Sequence, residues 1–185
     1  MFAGRTTYQG EGEDDMTNEE RFMADLDGYL LIKNVLTPGE VANRNALADE
    51  AFPMKPGEEG LRRTSRVTEW GDAFRDLMDH PKLLPYFVDL IGPRFRLDHD
   101  YNIFMTKGAT GGNLHGGENG PGRGYEGDHW YRFRDGEMRN GLCVFTFFLS
   151  HANEGDGGFG CIPGSHKSNY LQHLPGDVRR WGRDA

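Results

Sequence analysis

The side chains of this sequence most suited to binding a transition metal ion are its seven histidines. Non-haem iron is commonly held by two imidazoles and one carboxylate, an arrangement that leaves other coordination positions open for reactants. None of the histidines is followed two residues later by Asp or Glu, so no single short motif carries both kinds of ligand. The histidines are His80, His99, His115, His129, His151, His166 and His173.

The histidine with the most suggestive surroundings is His115, in the glycine-rich segment NLHGGENG (113–120). It ends an apolar, extended stretch, where its imidazole could hold a metal ion. Gly117 occupies the position of the missing carboxylate, and Glu118 lies one residue further on. Since a pair of glycines lets the backbone fold back, Glu118 could still reach the same ion. The alternative is a loop histidine bonded to backbone, with Glu118 as a solvated acid.

Other chemically capable residues have weaker contexts. His166, in the turn sequence IPGSHK, could supply a substitute second ligand, or its ring could bond backbone groups of that turn. His99 and His129 are expected to be core or edge histidines. Trp130 and Tyr131 begin a hairpin strand and could line the mouth of a pocket. Asp156 is expected to bond its own backbone in a turn, as aspartate before glycine commonly does.

Helices are expected in the first half of the chain, where start and stop residues bracket apolar periodicity. A first helix after Thr17 or Asn18 should end at Gly28. A second helix, 38–52, has Thr37 as its N-cap, with Glu40 completing a capping box. The remaining predictions are a short strand over 29–33, a loop over 53–69, and helices over 70–80 and 81–92.

Strands are expected in the second half. RFRLDHDYNIFMTK (94–107) alternates in polarity, which predicts one long strand with an apolar side that includes Tyr101, Ile103 and Met105. Asp135-Gly136 is a strong hairpin turn signal, and FGCI (159–162) is typical of a short strand. Helices followed by strands indicate an α+β protein, an antiparallel sandwich or barrel supported by N-terminal helices.

The composition limits the classes of partner. The net charge of −8 disfavours nucleic-acid and anionic-membrane surfaces, which require clustered Lys and Arg. The polar N-terminus lacks the apolar core of a signal peptide and no stretch suits a membrane span, so we expect a cytoplasmic protein. Cys143 and Cys161 lack CxxC spacing and are expected to be buried thiols of a reducing compartment.

Several segments, taken in their order and spacing, resemble the phytanoyl-CoA dioxygenase family from about Glu20 to about Asn169. The resemblance implies that N-terminal helices pack on a double-stranded β-helix (jelly roll). It also implies Fe(II)- and 2-oxoglutarate-dependent oxidation, most simply hydroxylation, of a small organic substrate. The matching strings are DGYLLIKNVLTPGEV, LDHDYNIFMTKG, NLHGG, FRDGEMRNGL and GDGGFGCIPGSHKSN.

The same resemblance implies roles for particular residues. In the family a strand ending in lysine precedes a His-x-Asp pair of iron ligands, which implies His115 as an iron ligand and Lys107 near 2-oxoglutarate. A distal histidine ligand and an arginine that binds 2-oxoglutarate come later in the family, on closing strands. Only sixteen residues follow Asn169, and they carry no strand-like apolar run, so we expect a domain that lacks those strands.

Gly117 leaves several interpretations open. Glu118 or His166 could complete the ligand set. Alternatively, a small residue at 117 could leave room for chloride on the iron, as in related iron halogenases. The chain could also be non-catalytic, either a jelly-roll binding module or a truncated pseudoenzyme.

The expected organisation is a disordered lead over 1–16 followed by a single jelly-roll domain over 17–185. That domain would have a helical part over 17–92, a β part over 93–170 and a tail over 171–185. Sheet edges left open by missing strands tend to pair with other chains, so self-association is also expected.

Overall fold

The computed structural model describes residues 15–110, 114, 130–153, 156 and 158–168. The helices are α1 (Asn18–Asp27), α2 (Pro38–Ala51), α3 (Asp72–Arg75) and α4 (Leu84–Leu90), with short 3₁₀-helices at Val67–Trp70 and Ser165–Lys167. The strands are β1 (Leu61–Ser65), β2 (Tyr101–Met105), β3 (Tyr131–Arg134) and β4 (Glu137–Asn140). The described part is therefore a mixed chain of helices and antiparallel strands.

Helices α1 and α2 both begin with capping boxes; the sequence predicts the box of α2, and for α1 it predicts an N-cap at Thr17 or Asn18. The Thr17 hydroxyl accepts from the Glu20 backbone N–H at 3.2 Å, while the Glu20 carboxylate accepts from the Thr17 N–H at 2.8 Å. Thr37 and Glu40 repeat the arrangement, with distances of 3.3 and 2.7 Å. These bonds satisfy backbone N–H groups that lack a partner within the helix. Gly28, at φ 79°, ends α1 as predicted.

The strands form two antiparallel pairs. β1 pairs with β2 in a register that sets Leu61 opposite Met105 and Ser65 opposite Tyr101. β3 and β4 form the predicted hairpin, closed by Asp135 and Gly136 at φ 56° and 82°. Positive φ at both central residues is the requirement of the tight hairpin turn that an Asp-Gly pair favours.

Two apolar clusters hold these elements together. The first joins α1, α4 and the segment after β4, with Phe87 packed edge-on against Phe145 at 4.2 Å between ring centroids. Met16 belongs to this cluster at only 1% exposure, although the sequence places it at the end of an acidic lead. The second cluster joins α2 and β2 through Ala48 and Phe104. Their buried members are Met16, Ala24, Leu83, Tyr86 and Phe87 in the first, and Ala48, Val67 and Phe74 in the second.

Several predicted elements in the first half were wrong. Residues 29–33 form no strand in the described part of the chain, although the alternation is real, since Leu31 is 70% exposed while its neighbours pack on the first cluster. The predicted loop 53–69 contains β1, whose sequence LRRTS is too polar to indicate a strand. The predicted helix 70–80 is reduced to α3; Gly71, at φ 132°, separates α3 from the 3₁₀-helix that contains Trp70. The helix predicted from Pro81 begins at Leu84.

The strand predicted over 94–107 was correct in type but wrong in length and in its buried side. Only Tyr101–Met105 pairs with a neighbour. Tyr101, Ile103 and Met105 are exposed, whereas Phe104 packs on the second cluster. Phe104 lies on the buried side of β2, where its ring packs against the ring of Phe52 with the centroids 5.6 Å apart.

The remaining described segments are irregular. Residues 159–162, predicted as a strand, are not one. Both cysteines are free and half-buried, and burial raises the pKa of Cys143 to about 11, so its thiol is protonated at neutral pH. Within the described ranges, no helix combines the length and the apolar character needed to cross a membrane.

Candidate functional site

The leading metal-site candidates, His115 and Glu118, lie outside the described residues, as does Gly117. Two other predicted site residues can be placed. Lys107 is exposed and lies two residues after the end of β2. His166 lies in the 3₁₀-helix after Gly164. The surroundings of Lys107 and His166 can therefore be described, whereas the roles of His115 and Glu118 stay predictions.

The His166 ring is engaged with helix α1. Its Nε2 lies 3.1 Å from the backbone oxygen of Asp25, so Nε2 carries the proton and donates it to that carbonyl. Its Nδ1 is buried and has no hydrogen-bond partner among the described residues. The ring of Tyr131 packs edge-on against it, with centroids 5.0 Å apart. The ring is bonded to backbone, as one of the two predicted alternatives expects, but the carbonyl comes from α1 rather than from the turn.

Asp25 is the charged centre of this contact. Its carboxylate accepts from the Tyr131 hydroxyl and, at 3.3 Å, from the Lys167 ammonium. The hydrogen bond from Tyr131 is the main reason that the pKa of Asp25 lies below its usual value. Burial and the same hydrogen bond raise the pKa of Tyr131 to about 12. The pKa of His166 is lowered, first by burial and then by the nearby Lys167 charge. At neutral pH the group is thus a carboxylate, a neutral imidazole, a phenol and an ammonium.

The backbone strengthens the same connection. The Gly164 N–H donates to the Asp27 oxygen at 2.8 Å. Gly28 lies so close to the imidazole that a Cβ there would be 2.1 Å from Nδ1 of His166. We call the contact of Asp25, Asp27 and Gly28 with Tyr131 and the 164–167 turn the helix–turn contact. It fixes the IPGSHK turn against a helix that precedes it by about 140 residues along the chain.

A second candidate surface, mainly apolar but with one arginine, lies on the exposed side of the β1–β2 pair. This open face consists of Leu61, Arg63, Ser65, Tyr101, Ile103 and Met105. The Arg63 guanidinium lies 4.0 Å from the centroid of the Tyr101 ring, within the range of a cation–π interaction. Just before β2, His99 stacks on Tyr101 at 5.7 Å, and its Nδ1 contacts the Asp98 carboxylate at 2.7 Å. His99 is therefore an exposed, paired histidine and not a core residue.

The described residues do not by themselves fit an iron ion. In the parts of the chain that the structure places, no three His, Cys, Asp or Glu side chains are grouped closely enough to hold a metal. No chemical step through iron is therefore assigned to them. Asp156 accepts from the Asn153 N–H at 3.0 Å, which confirms its predicted turn role.

Sequence reasoning missed Asp25 and Arg63. Arg63 lies in a segment predicted as loop. Strand β1, which places Arg63 beside Tyr101, was therefore not predicted from the sequence. Asp25 is an ordinary acid in a helix, and only the folded chain brings the phenol of Tyr131 to it. The position of Tyr131 at the start of a hairpin suggests a pocket mouth, but its hydroxyl is instead bound to α1.

Comparisons with known proteins extend beyond this geometry. The sequence model of the family described as phytanoyl-CoA dioxygenase (PhyH) matches residues 24–177. Neither a search of curated proteins nor a search of solved structures produced a match. The matched range is most of the chain and includes both the helix–turn contact and the open face. The chain belongs to the phytanoyl-CoA dioxygenase family.

Proposed function

We propose that this chain is an Fe(II)- and 2-oxoglutarate-dependent oxygenase that oxidises, most simply by hydroxylation, a small organic substrate. The observation that carries the proposal is the family match over residues 24–177. Members of this family depend on Fe(II) and 2-oxoglutarate. Those cofactors supply the oxidising power, while the protein supplies ligands, an anchor for the oxo-acid and a pocket from which water is excluded.

We further propose a jelly roll as the architecture. The antiparallel pairs β1–β2 and β3–β4 support it, since a double-stranded β-helix is built from antiparallel strands. The N-terminal helices support it too, because α1 and α4 pack through Phe87 against Phe145 in the segment after β4. The helix–turn contact additionally holds the IPGSHK turn against α1.

The proposed iron ligand is His115, with Glu118 as the proposed carboxylate, and Lys107 is proposed to lie near 2-oxoglutarate. Lys107 is exposed at the end of β2 and precedes His115 in the order that the family pattern requires. His166 is not proposed as a second ligand, because its Nδ1, the nitrogen not used on Asp25, is buried and lies close against Gly28.

The test is release of succinate from 2-oxoglutarate by the purified chain with Fe(II) and oxygen. Wild type should release succinate, and His115→Ala should fall to the metal-free background. His151→Ala is the matched control, since His151 is an exposed histidine outside the proposed ligand set. Equal background in wild type and His115→Ala would refute the oxygenase and favour a non-catalytic binding module.

A halogenase is the second candidate, because Gly117 stands where the carboxylate ligand is usual. The variant Glu118→Ala separates the two enzymes. If Glu118 is the carboxylate ligand, this variant loses succinate release. If chloride takes that position instead, Glu118→Ala retains activity and the product of the reaction depends on chloride.

A further inference from the structure

The β1–β2 pair presents all but one of its apolar side chains outward. Tyr101 is 36% exposed, and Ile103 and Met105 are each 45% exposed. The inner positions of the same two strands are taken by Arg62, Thr64, Asn102 and Phe104, of which only Phe104 is apolar. A sheet usually buries its apolar side, so an exposed apolar side rimmed by polar groups marks a surface that binds something.

Arg63 is the cation of this open face, and it differs from the arginines beside it. Arg62 contacts Glu58 at 3.8 Å and Arg66 contacts Glu69 at 3.7 Å. Among the described residues Arg63 has no carboxylate partner, and its neighbour is the ring of Tyr101. A guanidinium stacked on a ring keeps its N–H donors in its own plane, where they remain available to an anion.

A guanidinium beside apolar side chains favours a ligand that has both a carboxylate and a hydrocarbon part. A planar guanidinium pairs best with a carboxylate, through two parallel hydrogen bonds. Ile103, opposite Arg63 in the strand register, and Met105 beyond it offer an apolar surface that a hydrated inorganic anion would not use. The chain as a whole carries a net charge of −8, so Arg63 is not part of a general basic surface. With no carboxylate partner among the residues that the structure places, its charge can attract an anion to this apolar face.

We propose that the open face binds the substrate, and that the substrate is an apolar carboxylic acid. Its carboxylate pairs with Arg63, and its hydrocarbon part lies across Ile103 and Met105. The assignment of this ligand as the substrate rests on the proposed oxygenase function. The binding itself does not, because no metal is needed for the contacts with Arg63.

Octanoate is a suitable probe, with octan-1-ol and octyltrimethylammonium as neutral and cationic molecules of the same chain length. Titration calorimetry on the full chain without metal should show saturable binding of octanoate. Arg63→Gln should weaken that binding by about ten- to hundredfold, the range for loss of a hydrogen bond to a charged group. Arg134→Gln is the matched control, since it removes the same charge from an exposed position on the other strand pair.

Either of two results would overturn the proposal: octanol or the cation binding as tightly as octanoate, or Arg63→Gln binding octanoate like wild type. 2-Oxoglutarate is also a carboxylate, so it is titrated in parallel with Fe(II) under anaerobic conditions. If Arg63→Gln weakens only 2-oxoglutarate binding, Arg63 serves the oxo-acid and the substrate class is wrong. If octanoate binds through Arg63 but no succinate is ever released, the carboxylate site stands and the oxygenase function fails.

Discussion

Substituting Gly28 by alanine should destabilise the protein through two separable effects. Gly28 has φ 79°, a left-handed conformation that costs an L-residue about 1–2 kcal/mol. The new Cβ would also lie 2.1, 2.5 and 2.9 Å from three atoms of the His166 ring. The ring must therefore move, and its hydrogen bond to the Asp25 carbonyl, worth about 0.5–1.5 kcal/mol, is lost with its packing on Tyr131.

Together these effects predict a loss of about 2–4 kcal/mol in the free energy of unfolding. For a chain of this size that corresponds to a fall in melting temperature of about 5–15 °C. Urea denaturation and a calorimetric melt measure the two quantities. Gly57→Ala is the matched control, because Gly57 has φ 83° and no described atom lies within 4 Å of the Cβ that alanine would add. Gly57→Ala should therefore lower the free energy of unfolding only through the left-handed backbone conformation of residue 57.

The difference between the two variants isolates the contact with His166. The double variant Gly28→Ala/His166→Ala should regain part of the lost stability relative to the sum of the two single changes, since the methyl then occupies space that the ring has left. Equal destabilisation by Gly28→Ala and Gly57→Ala, with no coupling to His166, would refute the helix–turn contact as described.

Further predictions concern the same contact and the strand edges. Tyr131→Phe removes the hydroxyl that donates to Asp25 and should cost about 1 kcal/mol in urea denaturation, whereas an unchanged midpoint would contradict the bond. The folded-state pKa of His166 is lowered from 6.5, so its neutral form is preferred in the folded chain and stability should fall as the pH drops below about 6.5. His166→Gln should lose this component of the pH dependence, and identical pH profiles for the two proteins would argue against it. Self-association through strand edges predicts that sedimentation coefficients rise with concentration, and a monomer at every concentration would contradict it.

Short-range signals in the sequence determined the parts of the fold that depend on neighbouring residues. The Thr-x-x-Glu boxes of α1 and α2 and the Asp135-Gly136 turn each need only a few consecutive side chains, so their geometry follows from local chemistry. Family membership was likewise evident from short motifs in order, which the match over 24–177 confirms.

The tertiary structure decided which surfaces are buried and which side chains meet. Alternation along 94–107 shows that β2 has two different sides, but only the packing of Phe104 on Phe52 settles which side faces inward. The strand β1 is held by its pairing with β2 and not by its own polar sequence. Asp25 and His166 are joined by a hydrogen bond although they lie 141 positions apart in the chain. No local sequence pattern predicts this contact, because its free energy comes from the packing of distant segments.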